Sequence, residues 1–167
     1  MFNKSILAAM CALFASTAWG QLEVPVTGTV ESKCVITTDT VGIYGNPLPG
    51  TLSTAQVDGG VQPIIRFDVL QADFYKARVV HPNTFSESPS LSDTVTWTGN
   101  TTVAEVSDAQ MSAYDQNKIE FDNVTEVDLS VAGSTWFQVA STATYGVGKA
   151  FPAGTYRTIV GAECIAL

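Results

Sequence analysis

The sequence predicts an all-β protein built as a sandwich of two sheets, and three observations lead to this prediction. Apolar residues recur at every second position in many segments, whereas no long window has the spacing of an amphipathic helix. Turn-forming sequences such as GNPLPG and PAG separate these segments at the short intervals typical of sandwiches. The chain has 167 residues, of which 46% are hydrophobic, so it is long enough for one domain with its own core.

Residues 1–20 have the pattern of a secretory signal peptide. Lys4 precedes an apolar run that extends from Ile6 to about Phe14, and small residues close the segment. We expect cleavage after Gly20, with cleavage after Ala18 as the alternative, and export of the mature chain. No later apolar stretch approaches the roughly 20 residues that a membrane-spanning helix needs, so no membrane span is expected.

The mature chain is acidic, which limits its partners. The formal net charge is −8, and the leader contains Lys4 but no acidic residue, so cleavage makes the charge one unit more negative. A surface of this sign repels nucleic acid and anionic membranes. We therefore expect neither as a partner.

Two of the three cysteines are expected to form a disulfide bond. Cys11 leaves with the signal peptide, and Cys34 and Cys164 remain as an even pair in an oxidising compartment. Their bond closes a loop of about 130 residues, for which chain entropy alone gives about 5 kcal/mol of stabilisation. It would join the first strand of the mature chain to the last.

Nine segments are predicted to be strands, and a tenth, at 41–44, is a shorter candidate. The nine are 22–37, 61–70, 74–81, 94–98, 102–106, 118–121, 124–131, 135–141 and 155–166. The polar segment 85–93 is predicted to be a surface connection. Segment 107–118 is predicted to be a loop with one helical turn, capped by Ser107 or Asp108.

The first predicted strand is longer than most strands, which favours dividing it. Its apolar face carries Leu22, Val24 and Val26, whereas the opposite face is almost wholly polar. Pro25 cannot donate a ladder hydrogen bond and belongs at an edge or a bulge. We therefore divide the segment into an N-terminal arm, residues 21–27, and a domain, residues 28–167, whose first strand begins near Gly28. Two interpretations stay open: the arm leaves its own domain, or it closes a self-sufficient sandwich.

The two ends of the chain resemble those of chaperone–usher fimbrial subunits and of the related spore-coat-U-like secreted proteins. The likeness rests on the leader, the alternating arm, Gly28-Thr29-Val30 shortly before Cys34, and the ending PAGTYRTIVGAECIAL. The resemblance implies an incomplete immunoglobulin-like sandwich that lacks one strand. The arm of the next subunit would complete it by strand exchange, in which main-chain bonds give affinity and alternate side chains fill pockets.

The resemblance also implies roles for particular residues. The donor-strand residues that would fill a neighbour's groove are Leu22, Val24, Val26, Gly28 and Val30. The acceptor groove would lie beside the C-terminal strand, at Tyr156, Thr158, Val160 and Ala162. The implied assembly is a homopolymer on the bacterial cell surface, exported through the periplasm with a periplasmic chaperone and an outer-membrane usher as further partners.

No arrangement of residues indicates an enzyme or a cofactor. The only histidine, His81, precedes Pro82 in a predicted surface turn, and no free cysteine or glycine-rich phosphate loop is expected. Five carboxylates lie close in sequence, but they lack the spacing of a calcium-binding loop, and we expect no metal. They are Asp115, Glu120, Asp122, Glu126 and Asp128.

Aromatic residues keep a second class of function open, a monomeric secreted β-sandwich adhesin or carbohydrate-binding module. Such a protein would present a concave platform of rings, for which the candidates are Trp97, Trp136, Phe137, Tyr145, Phe151 and Tyr156. Rings of this kind more often fill a core. Trp136 and Phe137 are adjacent in a predicted strand, so they face opposite sides and at least one is expected to be buried.

Overall fold

The computed structural model describes residues 25–29 and 33–167. Residues 25–29 have no regular secondary structure and are exposed. Residues 33–167 form two antiparallel sheets, which confirms the predicted all-β sandwich.

The strands of this domain are short except for two in the first sheet. They are β1 (Cys34–Thr40), β2 (Gly45–Leu48), β3 (Thr51–Ser53), β4 (Ile64–Val69), β5 (Tyr75–Val80), β6 (Val95–Val106), β7 (Ile119–Phe121), β8 (Val124–Asp128), β9 (Gly133–Tyr145) and β10 (Gly161–Ala166). Short 3-10 helices span Gln56–Asp58 and Ala109–Ala113, and a one-turn α-helix, α1, spans Tyr114–Asn117. Asp108 caps the second 3-10 helix by accepting a hydrogen bond from the Gln110 N–H at 2.8 Å, as predicted for this loop.

The first sheet is organised around β9. Its first half pairs with β4 and its last residues pair with β3, while β6 runs along its other side. β1 lies at one edge, beside β4, and β2 lies beside β3. The second sheet has the order β10-β5-β8-β7, so β10 is also an edge strand.

The core lies between the two sheets and follows the alternation of their strands. β4 alternates partly buried and buried residues along its whole length, and Phe67 of β4 packs edge-to-face on Phe137 of β9 with ring centres 5.3 Å apart. The other buried members are Ile65, Val69, Ala77, Val79, Met111, Tyr114, Val127, Leu129 and Val139.

The sandwich has two distinct ends, named here by what lies at each. At the base, Lys33 leads into β1, and the register places Cys34 opposite Val69 and Ala166 opposite Tyr75. At the tip, β9 continues beyond its pairing with β4 to Tyr145 and a turn at 146–148. The N–H of Tyr145 donates to the Gly50 carbonyl at 2.9 Å, so the turn at 49–50 also lies at the tip.

Several predicted boundaries are wrong, each for a local reason. The predicted turn at 98–100 lies inside β6, where a Cβ on Gly99 would come within 2.6 Å of the Ala140 carbonyl, so this glycine permits close pairing rather than a turn. β2 and β3 occupy the stretch around GNPLPG, of which only Pro49 and Gly50 form the turn. β1 begins at Cys34, later than the expected start near Gly28.

The last predicted strand is also shorter than expected. β10 begins at Gly161, because the preceding segment leaves the sheet and pairs elsewhere. Arg157 forms an isolated antiparallel bridge with Glu87, in the polar segment 85–93. This departure separates residues 154–160 from the second sheet and creates space beside them.

Candidate functional site

The edge strands β1 and β10 lie next to each other at the base. The predicted disulfide bond between Cys34 and Cys164 is confirmed and joins them, with Cα atoms 6.3 Å apart. Both cysteines pack against the buried core, as do Ile36 and Ala162 from the same strands. At the base, therefore, one side of the sandwich is closed.

Towards the tip the same two edges separate around a cavity of about 600 Å³. One wall is segment 41–44, which continues from β1, and the other is segment 154–160, which leads into β10. The floor consists of buried residues of β3 and β9 with the residue after β3, namely Leu52, Thr54, Val139 and Ser141. The volume lies within the range of ligand pockets, and the shape is that of a groove between two sheet edges.

The backbone of the first wall is paired on one side only. Ile43 exchanges two hydrogen bonds with Val61, at 2.9 and 2.8 Å, which is the pattern of an antiparallel hydrogen-bonded pair. In an antiparallel ladder, the residues before and after a hydrogen-bonded residue direct their N–H and C=O groups away from the partner strand. Gly42 and Tyr44, which both line the cavity, therefore direct their backbone groups away from Val61.

The second wall repeats this arrangement. Arg157 donates its N–H to the Glu87 carbonyl at 2.9 Å and accepts in return from the Glu87 N–H at 3.3 Å. Tyr156 and Thr158 therefore turn their backbone groups away from Glu87, and both line the cavity. Within residues 33–167, no backbone–backbone hydrogen bond involves Gly42, Tyr44, Tyr156 or Thr158. Each wall thus offers an unpaired strand edge.

Hydroxyl groups cross the cavity between its walls and floor. The Tyr44 hydroxyl lies 2.8 Å from the Ser141 Oγ and 3.2 Å from the Thr158 Oγ1, within hydrogen-bonding distance of both. Below them the Thr54 Oγ1 accepts from the Ser141 N–H at 2.9 Å and donates to the Ser141 carbonyl at 3.2 Å. Tyr44 therefore ties the first wall to the floor and to the second wall.

The structure places the residues of the expected groove as follows. Tyr156, Thr158 and Val160 line the cavity, whereas Ala162 pairs with Val79 in the sheet and packs against the core. No sequence pattern indicated the floor of the cavity, and the first wall was predicted only as a candidate strand at 41–44. The only sequence pattern that indicated the first wall was the alternation of apolar residues at Val41 and Ile43.

The donor residues are only partly described. Val26 and Gly28 are exposed and belong to no strand, in residues 25–29. Leu22, Val24 and Val30 lie outside the described residues. Their role in strand exchange stays a prediction.

Several of the carboxylate candidates form ion pairs: the Lys118 Nζ lies 3.4 Å from the Asp115 Oδ1 and 3.2 Å from the Glu120 Oε1. In residues 25–29 and 33–167, no group of three or more histidine, cysteine or acidic residues could hold a metal ion. Glu126 is ion-paired with Lys76, at 3.1 Å, on the outer face of the second sheet. His81 is partly buried rather than a surface turn residue, and this burial lowers its pKa, although the Glu120 charge acts in the opposite direction.

The aromatic candidates pack on one another rather than forming an open platform. Phe85 contacts Trp97, Tyr156 and Phe151 with ring centres 4.7, 5.1 and 6.0 Å away, and Phe151 also stacks on Tyr145 at 5.2 Å. They form an aromatic cluster at the tip, in which Tyr145 is buried and the other four rings are partly buried. Phe137 is buried, as expected of one of the adjacent pair, and Trp136 lies on the other face, where the Arg66 guanidinium is 5.8 Å from the centre of its ring.

Comparison with protein-family models, curated proteins and solved structures gives no significant match to this chain. The resemblance to fimbrial subunits therefore rests on the residues at the two ends of the sequence. None of the helices in residues 25–29 and 33–167 has the length and hydropathy needed to cross a membrane.

Proposed function

We propose that this chain is the structural subunit of an extracellular fimbria-like filament, and that it polymerises by inserting its N-terminal arm into the cavity of a neighbouring subunit. The observation that carries the proposal is the cavity between two unpaired strand edges, 41–44 and 156–158. A strand added between these edges would give their backbone groups hydrogen-bond partners while its side chains fill the cavity.

The composition of the arm suits this cavity. Leu22, Val24 and Val26 point to one face of an extended strand and span about 17 Å with the residues between them. The cavity floor offers Leu52 and Val139 to such side chains. Full burial of an aliphatic side chain contributes roughly 1.5–3 kcal/mol, so three of them can offset the cost of ordering the arm.

The disulfide bond defines the direction of insertion in this proposal. Because Cys34–Cys164 closes the groove at the base, the arm enters from the tip, with its N terminus pointing towards the disulfide. The inserted strand then runs antiparallel to segment 156–160. It runs parallel to segment 41–44.

The proposed location is the bacterial cell surface, reached through the periplasm. A disulfide bond that joins the first and last strands is compatible with folding in an oxidising compartment. A subunit with an open groove exposes apolar surface before assembly, which is the reason to propose a periplasmic chaperone and an outer-membrane usher as further partners.

The proposal is tested by charged substitutions on the two faces of the arm in the exported chain. Val24→Asp combined with Val26→Asp places charges on the face that fills the groove, whereas Thr27→Asp places one on the opposite face as a control. We expect sedimentation and electron microscopy to show polymers for the natural chain and for Thr27→Asp, but monomers for the double variant. Polymers of the double variant that equal those of the natural chain would rule out the arm as the donor.

A second measurement uses the double variant as an acceptor. Its groove is unchanged, so it should bind a synthetic peptide of residues 21–31, and the same peptide with the two aspartates should not bind. Failure to bind the natural peptide at any concentration would contradict the proposed groove.

A further inference from the structure

Exposed apolar side chains lie at both ends of the sandwich. At the base, the exposed fractions of Leu70, Phe74 and Leu167 are 76%, 52% and 70%. At the tip, those of Leu48 and Val147 are 64% and 98%. We call the first set the base patch and the second set the tip pair.

The base patch lies around Lys33, the residue before β1. The Lys33 carbonyl accepts a hydrogen bond from the Leu70 N–H at 3.1 Å, and the Phe74 carbonyl accepts one from the Leu167 N–H, also at 3.1 Å. The Lys33 N–H itself donates to the Tyr75 hydroxyl at 3.0 Å. Lys33, the residue before β1, is thus held at the base.

The tip pair lies on two turns that are bonded to each other. Leu48 precedes the turn at 49–50, and Val147 lies in the turn at 146–148. The Gly50 carbonyl accepts from the Tyr145 N–H at 2.9 Å, and the Pro49 carbonyl accepts from the Phe151 N–H at 2.8 Å. Both exposed residues therefore lie on neighbouring turns at the tip.

The length of the arm brings these two surfaces together in a filament, a step that rests on the proposed function. The apolar face of the arm continues past Val26 to Gly28 and Val30, and only Glu31 and Ser32 separate Val30 from Lys33. Three residue steps span at most about 11 Å. An arm inserted from the tip along its whole apolar face therefore leaves no room for a long linker between the donor's base and the acceptor's tip.

We propose that the base patch of one subunit packs against the tip pair of the next, as a second contact between copies of this chain. Apolar side chains brought this close exclude water from between them, which favours contact. The two surfaces differ and lie at opposite ends, so the contact is head-to-tail and repeats as an open filament rather than a closed dimer. The arm supplies the connection between subunits, and the contact between ends supplies the stiffness.

The test introduces one charged residue at each end of the full exported chain and compares two double variants, one with like charges and one with opposite charges. Leu70→Lys with Val147→Lys places like charges at the contact, whereas Leu70→Lys with Val147→Glu places opposite charges there. Ile119→Lys, on exposed β7 away from both ends, is the control. Circular dichroism melting curves identify any variant that is misfolded.

We expect the Lys–Lys variant to form shorter, more flexible filaments and to need on the order of tenfold more protein to assemble at low salt. The Lys–Glu variant and the Ile119→Lys control should assemble like the natural chain. Equal assembly of the Lys–Lys and Lys–Glu variants would overturn the end-to-end contact.

Binding of the arm peptide distinguishes the contact between ends from insertion of the arm into the groove. When combined with Val24→Asp and Val26→Asp, all of these charge variants should still bind the peptide of residues 21–31, because the groove is unchanged. If the Val24→Asp/Val26→Asp chain without further substitutions fails to bind the peptide of residues 21–31, both the strand donation and the contact between ends are overturned. Normal capture with equal assembly of the two paired variants overturns only the contact between ends.

Discussion

Tyr44 is the residue that connects the two walls of the cavity. Its hydroxyl lies within hydrogen-bonding distance of Ser141 on the floor and of Thr158 on the opposite wall. A strand that enters between the walls must separate Tyr44 from Thr158. The same hydrogen bonds that stabilise the empty groove therefore oppose insertion.

Replacement of Tyr44 by phenylalanine should lower stability while making the groove more accessible. Loss of these hydrogen bonds is expected to reduce the free energy of unfolding by about 1 kcal/mol and to increase the rate of peptide capture. Denaturant unfolding and stopped-flow fluorescence measure the two effects. Tyr114→Phe is the matched control, because the Tyr114 hydroxyl accepts from the Val131 N–H at 2.9 Å away from the cavity. It should lower stability without changing capture, and equal capture rates in both variants would contradict the role of Tyr44.

His81 makes stability depend on pH in a defined direction. Burial lowers its pKa in the folded chain below the ordinary value of 6.5. Between that lowered pKa and 6.5 the unfolded chain holds a proton that the folded chain does not, so the free energy of unfolding falls as pH falls through 6.5. Because the side chain is only partly buried, we expect an effect below about 1 kcal/mol.

The measurement compares the natural chain with His81→Gln between about pH 7.5 and pH 5.5. His81 is the only histidine, so the difference between the two proteins isolates its contribution. Denaturant unfolding should show a loss of stability on acidification that is smaller in the variant. Identical pH dependence in both would mean that His81 titrates normally in the folded chain.

At the scale of elements, the disulfide bond between β1 and β10 closes the base end of the groove. The two cysteines are 130 residues apart in sequence, and for a loop of this length chain entropy gives about 5 kcal/mol. Cys34→Ala combined with Cys164→Ala should therefore lower the free energy of unfolding by up to that amount, measured by denaturant unfolding without reductant. A midpoint equal to that of the natural chain would show that the bond does not hold the edges together.

Prediction from sequence succeeded where alternation and turn chemistry agreed. β4, β5 and β8 were expected because apolar residues alternate between clear breaks, and the cysteine pair followed from the count after removal of the leader. Gly99 and Asn100 were misread as a turn, because sequence alone does not reveal that Ala140 of β9 approaches Gly99 closely.

The candidate site was less predictable, because tertiary pairing determines it. Residues 155–160 alternate like a strand, yet Arg157 pairs with Glu87 and the segment leaves the sheet. The floor residues Thr54, which follows β3, and Ser141 of β9 are distant in sequence, and no local pattern connects them. The expected groove residues Tyr156, Thr158 and Val160 line the cavity because they belong to the segment that departs.

For the whole molecule, net charge opposes the proposed assembly of identical subunits. The formal charge is −8, and the expected removal of the leader makes it one unit more negative, so subunits of the proposed filament would repel one another. The Debye length falls from about 30 Å at 0.01 M salt to about 8 Å at 0.15 M. We therefore expect assembly to be faster at physiological salt, measured by light scattering, whereas slower assembly with added salt would indicate that attraction between charges drives association.

Negative-stain electron microscopy of the purified exported chain, compared with its Val24→Asp/Val26→Asp variant, tests strand donation most directly. The natural chain should form unbranched filaments of repeating subunits, and the variant should remain as single particles that bind the arm peptide. Monodisperse particles of the natural chain at every concentration and salt condition would contradict donation of the arm to a neighbouring subunit.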